Sequence, residues 1–195
     1  MSGGMELYLH MPFCVRKCAY CDFLSFPSGA ETQRMYAKRL MKDIDVMGKR
    51  YGEIPVETIF IGGGTPSVPD SALIVEIMEH VRHAFHVADG AEISMEANPG
   101  TVTREKLTDY RKAGINRLSF GLQSANDREL KLLGRIHTWA EFLESFTLAR
   151  ECGFANLNID LMSALPGQTC ESWKETLSRV TELDPEHISA YSLII

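Results

Sequence analysis

Asn156-Leu157-Asn158-Ile159-Asp160-Leu161-Met162 alternates polar and apolar residues through Leu161. Successive side chains of a strand point to opposite faces. Asn156, Asn158 and Asp160 therefore share one face, and Leu157, Ile159 and Leu161 the other. The same pattern recurs along the chain. Arg117, Ser119 and Gln123 oppose Leu118, Phe120 and Leu122; Ser94 and Glu96 oppose Ile93 and Met95; Tyr8 and His10 oppose Leu7 and Leu9. Val56 to Ile61 and His187 to Ile195 complete six strand-like segments. A parallel sheet buried on both faces would read as continuous apolar runs instead. An antiparallel sheet with one wet face would also alternate, but helical segments separate these strands and their apolar stripes need a sheet face to cover.

The first helical stripe is Tyr36, Leu40, Ile44 and Met47, between Glu31 and Arg50. The second, after the capping residue Asp70, is Ile74, Ile77, Met78, Val81 and Phe85. A helix from Thr103 to Ala113 stops at Gly114. Two helical pieces follow the fourth strand. The second opens with the capping box Thr138 to Glu141, carries Phe142, Phe146 and Ala149, and ends at Gly153. A last one carries Trp173, Leu177 and Val180. Alternating strands and helices predict an α/β fold with a parallel sheet. The fold class is a partial TIM-like (β/α)6 barrel with an apolar outer face under helices. Its polar lumen is costly unless a ligand or water satisfies it.

The 195 residues suit one domain, residues 1–195, with no internal boundary or low-complexity linker. A net charge of -6 without a basic face argues against a nucleic-acid partner. No apolar run is long enough for a transmembrane segment, and no signal peptide opens the chain. Five cysteines is an odd number, and three are crowded together. This favours metal or redox chemistry in a reducing, cytoplasmic setting over a disulfide framework. The chain stops in its sixth strand at Tyr191-Ser-Leu-Ile-Ile195. An unpaired apolar edge is an aggregation liability, so the expectation is a front portion of a longer protein, or an edge that something else covers.

The crowded cysteines are Cys14, Cys18 and Cys21, spaced C-x3-C-x2-C in the loop after the first strand. Barrel active sites lie at the C-terminal ends of strands, which is where this loop falls. Three thiolates can hold three irons of a cubane cluster and leave the fourth open to a ligand. The alternatives are a structural zinc site, whose fourth ligand would be His10 or the distant Cys152 or Cys170, and a chance cluster of buried cysteines. Gly62-Gly63-Gly64-Thr65-Pro66 follows the second strand, either as a plain turn or as a place where backbone approaches a ligand. His10 is a hydrogen-bonding residue behind the site, His137 a helix-start residue, and Cys152 a buried structural thiol. Cys170 receives no role. Met35, Met41 and Met47 are spaced for helix packing.

C-x3-C-x2-C with Tyr20 before the last cysteine resembles the radical S-adenosylmethionine (SAM) superfamily. Six longer stretches narrow the resemblance. They are Tyr8-Leu-His10-Met-Pro-Phe-Cys14, Gly62-Gly-Gly-Thr-Pro66, Glu96-Ala-Asn-Pro-Gly100, Arg117-Leu-Ser-Phe-Gly-Leu-Gln-Ser124, Asp160 to Thr169 and Ile188-Ser-Ala-Tyr-Ser192. These are similar, in order and over essentially the whole chain, to the oxygen-independent coproporphyrinogen III oxidase family, which includes the radical SAM haem chaperones. The resemblance implies a [4Fe-4S] cluster on Cys14, Cys18 and Cys21, with SAM chelating the open iron. It implies a wall of Gly63, Gly64 and Thr65 beside the methionine moiety. It also implies SAM contacts from Tyr8, Tyr20, Glu96, Gln123, Arg135 and Asp160. A radical SAM core would pass one electron to SAM and break its carbon–sulfur bond. The family's C-terminal domain is absent from these residues. The oxidases carry a further cysteine two residues beyond the third, where this chain has Phe23; Cys21-Asp22-Phe23 is the haem-chaperone form. The implied role is haem trafficking, with haem or a porphyrinogen and a haem-acceptor protein as partners. Coproporphyrinogen III oxidase is the first alternative, and a non-catalytic metal-binding or electron-carrying module the second.

Overall fold

The structure, a computed structural model, describes residues 3–18 and 20–193. Six parallel strands pair strictly in chain order into one open sheet. They are β1 (Met5–Met11), β2 (Val56–Gly63), β3 (Val87–Ala97), β4 (Arg117–Gln123), β5 (Asn156–Ser163) and β6 (His187–Ser192). The helices between them are α1 (Ala30–Tyr51), α2 (Ser71–Ala84), α3 (Arg104–Lys112), α4 (Asp127–Leu132), α5 (Trp139–Glu151) and α6 (Cys170–Thr181). This is the expected partial barrel. The third strand, expected from Glu92 to Ala97, starts at Val87, and β6 ends at Ser192; Ile194 and Ile195 lie outside the described residues.

The alternation of β4 and β5 sorts as the sequence predicts. Leu118, Phe120, Leu122, Leu157, Ile159 and Leu161 are fully buried on the outer face, where Phe142 and Phe146 of α5 pack on Phe120. Each such side chain contributes roughly 1.5–3 kcal/mol by leaving water. The opposite face is polar but satisfied. Ser119 donates to Asp160, and Asn158 donates to both Ser119 and Asp160. Arg117 donates to Ser94, its register partner on the neighbouring strand β3.

Local signals set the helix ends. Asp70, Thr103, Asn126 and Thr169 each cap a helix N-terminus through the side chain. Thr138 and Glu141 form the full capping box of α5. Two expectations need correction. Met35 and Met47 are exposed, and only Met41 packs against the core. The last turn of α1 instead presents Gly48 to α2, where a Cβ would come within 2.6 Å of the Ala84 Cβ. That close approach leaves Met47 outside. Cys152 is half-buried at the end of α5 rather than buried. No helix among the described residues is long and apolar enough to cross a membrane.

Candidate functional site

A cavity of about 910 Å³ opens at the C-terminal ends of the strands. Cys14, Cys18 and Cys21 line it from the loop after β1, together with Tyr20. Gly63, Gly64 and Thr65 come from the end of β2 and the turn beyond it, and Glu96 and Asn98 from β3 and its end. Gln123, Arg135 and Asp160 complete the polar wall. Every residue named above as a cluster ligand or SAM contact lines this cavity except Tyr8, and the alternative zinc ligands His10, Cys152 and Cys170 do not line it. Tyr8 is 59% exposed and stacks on Phe60, with ring centroids 6.1 Å apart.

The cysteine loop is tied down by backbone. Cys14 N–H donates to Phe26 O at 3.2 Å, and Phe26 N–H to Pro12 O at 2.9 Å. Gly64 N–H donates to Met11 O and Thr65 N–H to Phe13 O, binding the glycine turn to the start of the loop. The glycines are required by this packing. A Cβ on Gly64 would lie 2.6 Å from Phe13 O, and one on Gly63 2.5 Å from the His10 ring. His10 Nε2 lies 3.0 Å from Leu24 O, and Nδ1 2.9 Å from the Tyr8 hydroxyl. A carbonyl only accepts, so Nε2 carries the proton and Nδ1 accepts from Tyr8. Both ring nitrogens are engaged, and His10 is not free to be a fourth zinc ligand. Among the described residues no three His, Cys, Asp or Glu side chains converge as one metal ion needs. A cubane takes one thiolate per iron, so its ligands need not converge on one point.

Two donors face the sulfurs: Thr65 Oγ1 is 3.7 Å from Cys14 Sγ, and Arg135 Nη1 is 3.8 Å from Cys18 Sγ. Arg135 arrives there because α4 ends in a Schellman turn. Gly134 takes a φ of 73°, Gly134 N–H returns to Lys131 O, and Arg135 N–H to Leu130 O. The reversal throws the guanidinium back over the sheet, where Nη2 donates to Asn98 Oδ1 at 2.7 Å and to Gly121 O at 2.6 Å. Arg135 is therefore a cavity residue. Its Nε is buried and lacks a partner among the described residues. An orphan donor on a side chain that lines the cavity with the three cysteines fits a ligand that brings an acceptor oxygen. Gln123 sits at an irregularity of β4 with a φ of 77°, and its Oε1 accepts the Tyr191 hydroxyl at 2.9 Å. A non-glycine residue held there is strained, as functional positions often are. His137 is buried just before α5, and burial lowers its pKa to about 4, leaving it neutral.

Burial and, after it, the charge of Asp160 push Glu96 up to about 7, although Gly63 N–H donates to its carboxylate at 2.9 Å. Burial likewise raises Asp160. The folded pKa of Glu96 lies above its ordinary 4.5, so the ionised form is a cost in the ligand-free protein. Stability is lost as pH rises through about 7, because the folded state binds the extra proton. Glu96→Gln should stabilise the ligand-free protein at pH 8 by at most roughly 3 kcal/mol, and by far less at pH 5. Thermal melts at the two pH values check this; equal shifts would show that burial does not govern Glu96.

Asn98 and Tyr191 carry no assigned role in the sequence reading. Both lie in stretches similar to the family, residues 96–100 and 188–192. The alternation of Ser189 and Tyr191 along β6 was the available signal for the second, since these residues pair with Asp160 and Met162 of β5.

The sequence profile of the Radical SAM superfamily matches residues 8–180. The heme chaperone HemW of Escherichia coli (strain K12) is 42% identical over 192 residues, covering 98% of this chain and 51% of that protein. HemW of Bacillus subtilis (strain 168) is 38% identical over 189 residues, covering 96% and 50%. Among solved structures, the coproporphyrinogen III oxidase HemN of Escherichia coli, a radical SAM enzyme, superposes with a TM-score of 0.92 at 33% identity. That match covers 98% of this chain and 44% of HemN. The chain spans about half the length of the curated relatives it matches.

Proposed function

Because this chain belongs to the Radical SAM superfamily, whose members generally use a [4Fe-4S] cluster and SAM, we propose that residues 1–195 are the radical SAM core of a haem chaperone. The observation that carries this is the cavity. Three cysteines free of disulfides share it with the glycine wall, the half-buried carboxyl of Glu96 and a guanidinium carrying an orphan donor. Cys14, Cys18 and Cys21 would hold the cluster, which when bound would supply the electron that breaks a carbon–sulfur bond of SAM.

The chain's own groups have separable tasks in this reading. The backbone of Gly63, Gly64 and Thr65 would border the methionine moiety. Glu96 would accept a hydrogen bond from the amino group. Arg135 Nε would donate to the carboxylate, and Asp160 and Gln123 would take hydroxyl groups. Tyr20 forms part of the wall. Tyr8 lies beside the cavity wall rather than in it, and its hydroxyl donates to His10 Nδ1. Phe23 lines the cavity mouth and is 66% exposed. At the position where the oxidases carry a further cysteine, it favours haem handling. Haem and a protein that accepts it are the proposed partners, in the reducing cytoplasm. A specific observation keeps coproporphyrinogen oxidation as second reading: the close superposition on HemN.

Anaerobic reconstitution of the whole protein should give about four irons per chain. Reductant and SAM should then yield 5'-deoxyadenosine. Haem that co-purifies without coproporphyrinogen turnover supports the chaperone, and turnover would establish the oxidase. One tightly bound zinc in place of iron would overturn both.

A further inference from the structure

The hydrogen bonds around the cysteine loop form one directed chain centred on Asn98. Arg135 Nη2 donates to Asn98 Oδ1 at 2.7 Å. A guanidinium can only donate, so the amide oxygen must face it and the amide nitrogen must face away. Asn98 Nδ2 then donates to Thr65 Oγ1 at 2.9 Å. The Thr65 oxygen accepts that bond, and its own proton is left for Cys14 Sγ, 3.7 Å away. The other amino group of Arg135 reaches Cys18 Sγ at 3.8 Å. One amide thus stands between the donors on two of the three thiolates.

Asn98 is itself held fast. Its N–H donates to Ser67 Oγ at 3.2 Å, and its carbonyl accepts from Thr101 Oγ1 at 2.7 Å. Ser67 Oγ and Thr101 Oγ1 are 2.6 Å apart, and the Lys106 ammonium binds the carbonyl of Ser67 at 2.7 Å. Gly121 makes room for the amide, since a Cβ there would lie 2.9 Å from Asn98 Oδ1. Thr65 is 2% exposed, so water does not compete for its proton, and the low local dielectric strengthens each bond.

We propose that Asn98 is a positioning residue that aims the Thr65 hydroxyl at Cys14 and the Arg135 guanidinium at Cys18, raising the reduction potential of the cluster on those thiolates. The inference rests on the proposed function. A reduced cluster carries more negative charge on its sulfurs than an oxidised one. Donors and a cation at those sulfurs therefore stabilise the reduced state selectively, and hydrogen bonds to sulfur are among the terms that set cluster potentials.

The test is a redox titration followed by electron paramagnetic resonance, on the whole protein reconstituted anaerobically and without SAM. Wild type is compared with Thr65→Val, Thr65→Ser and Asn98→Asp at equal iron content. Valine keeps the shape of threonine and loses the donor. At a fixed solution potential its reduced-to-oxidised ratio should fall about tenfold, which is about 59 mV for a one-electron couple. Serine keeps the hydroxyl and should restore the wild-type ratio. An aspartate at 98 draws both the Thr65 proton and the guanidinium onto its own charge, and should lower the ratio as well. Valine and aspartate variants with the wild-type ratio would overturn the proposal. So would loss of iron from both while the serine variant keeps it, because the chain would then hold the loop rather than tune it. A wild-type protein that takes up no cluster would instead overturn the proposed function.

Discussion

Cys18→Ala should leave the barrel folded and reduce bound iron from about four per chain to less than one. The loop's ties survive the change, since they are main-chain bonds: Cys14 N–H to Phe26 O, Phe26 N–H to Pro12 O, and Cys21 N–H to Cys18 O. Cys18 is only half-buried, so its loss from the metal-free protein falls in the range of about 0.5 kcal/mol usual for sites outside the core. Iron binding has no such reserve. With one thiolate gone a second iron lacks its protein ligand, and Arg135 Nη1 faces a methyl group where it had a sulfur. Cys152→Ala is the matched control. Its sulfur donates to Arg104 O at the start of α3 and does not line the cavity. That variant should keep its full iron. Iron and sulfide assays with a thermal melt decide the matter; a Cys18→Ala protein with a complete cluster would remove the cysteine triplet as its ligand set.

Gly64→Ala should damage the fold as well as the site. The added Cβ would stand 2.6 Å from Phe13 O, 2.8 Å from Phe13 N and 3.0 Å from Met11 O. All three are backbone atoms, so no rotamer change relieves the clash. The segment that must move leads directly into Cys14, and it is fastened to the same turn through Gly64 N–H to Met11 O and Thr65 N–H to Phe13 O. Forced backbone movement of this kind costs about 3 kcal/mol or more. In a domain of this size that lowers the melting temperature by roughly 6–12 °C. Iron uptake should fall with it. Gly29→Ala supplies the comparison, because nothing lies within 4 Å of a Cβ there and its φ of -79° suits any residue. An unchanged melting temperature for Gly64→Ala would mean that the β1 loop is not pinned as the distances indicate.

Much of the site was legible residue by residue. Ser119 and Asp160 fall on the lumen face because side-chain direction in a strand depends only on the parity of position. Thr138 and Glu141 announce the start of α5 because a capping box closes within four residues. The cysteine spacing is equally local. Tyr8 shows the limit of the same rule. It lies on the predicted face, yet Phe60 on the neighbouring strand takes its ring and leaves it 59% exposed, outside the cavity. Parity gives a direction and says nothing about depth.

The chain by itself determined the order of strands and helices, the faces of β4 and β5, and the three thiolates on one loop. Each of these depends on spacings of a few residues and on backbone geometry common to all chains. Only the tertiary structure decided that Arg135 turns back at Gly134 to meet Cys18, that Glu96 is buried enough to hold its proton near neutrality, and that Asn98 joins the two donors. Those outcomes depend on distances of 2.7–3.8 Å between residues far apart in the chain, and on how much water is left between them. Hydrogen bonds and desolvation vary steeply over just that range, and no local pattern in the sequence encodes it.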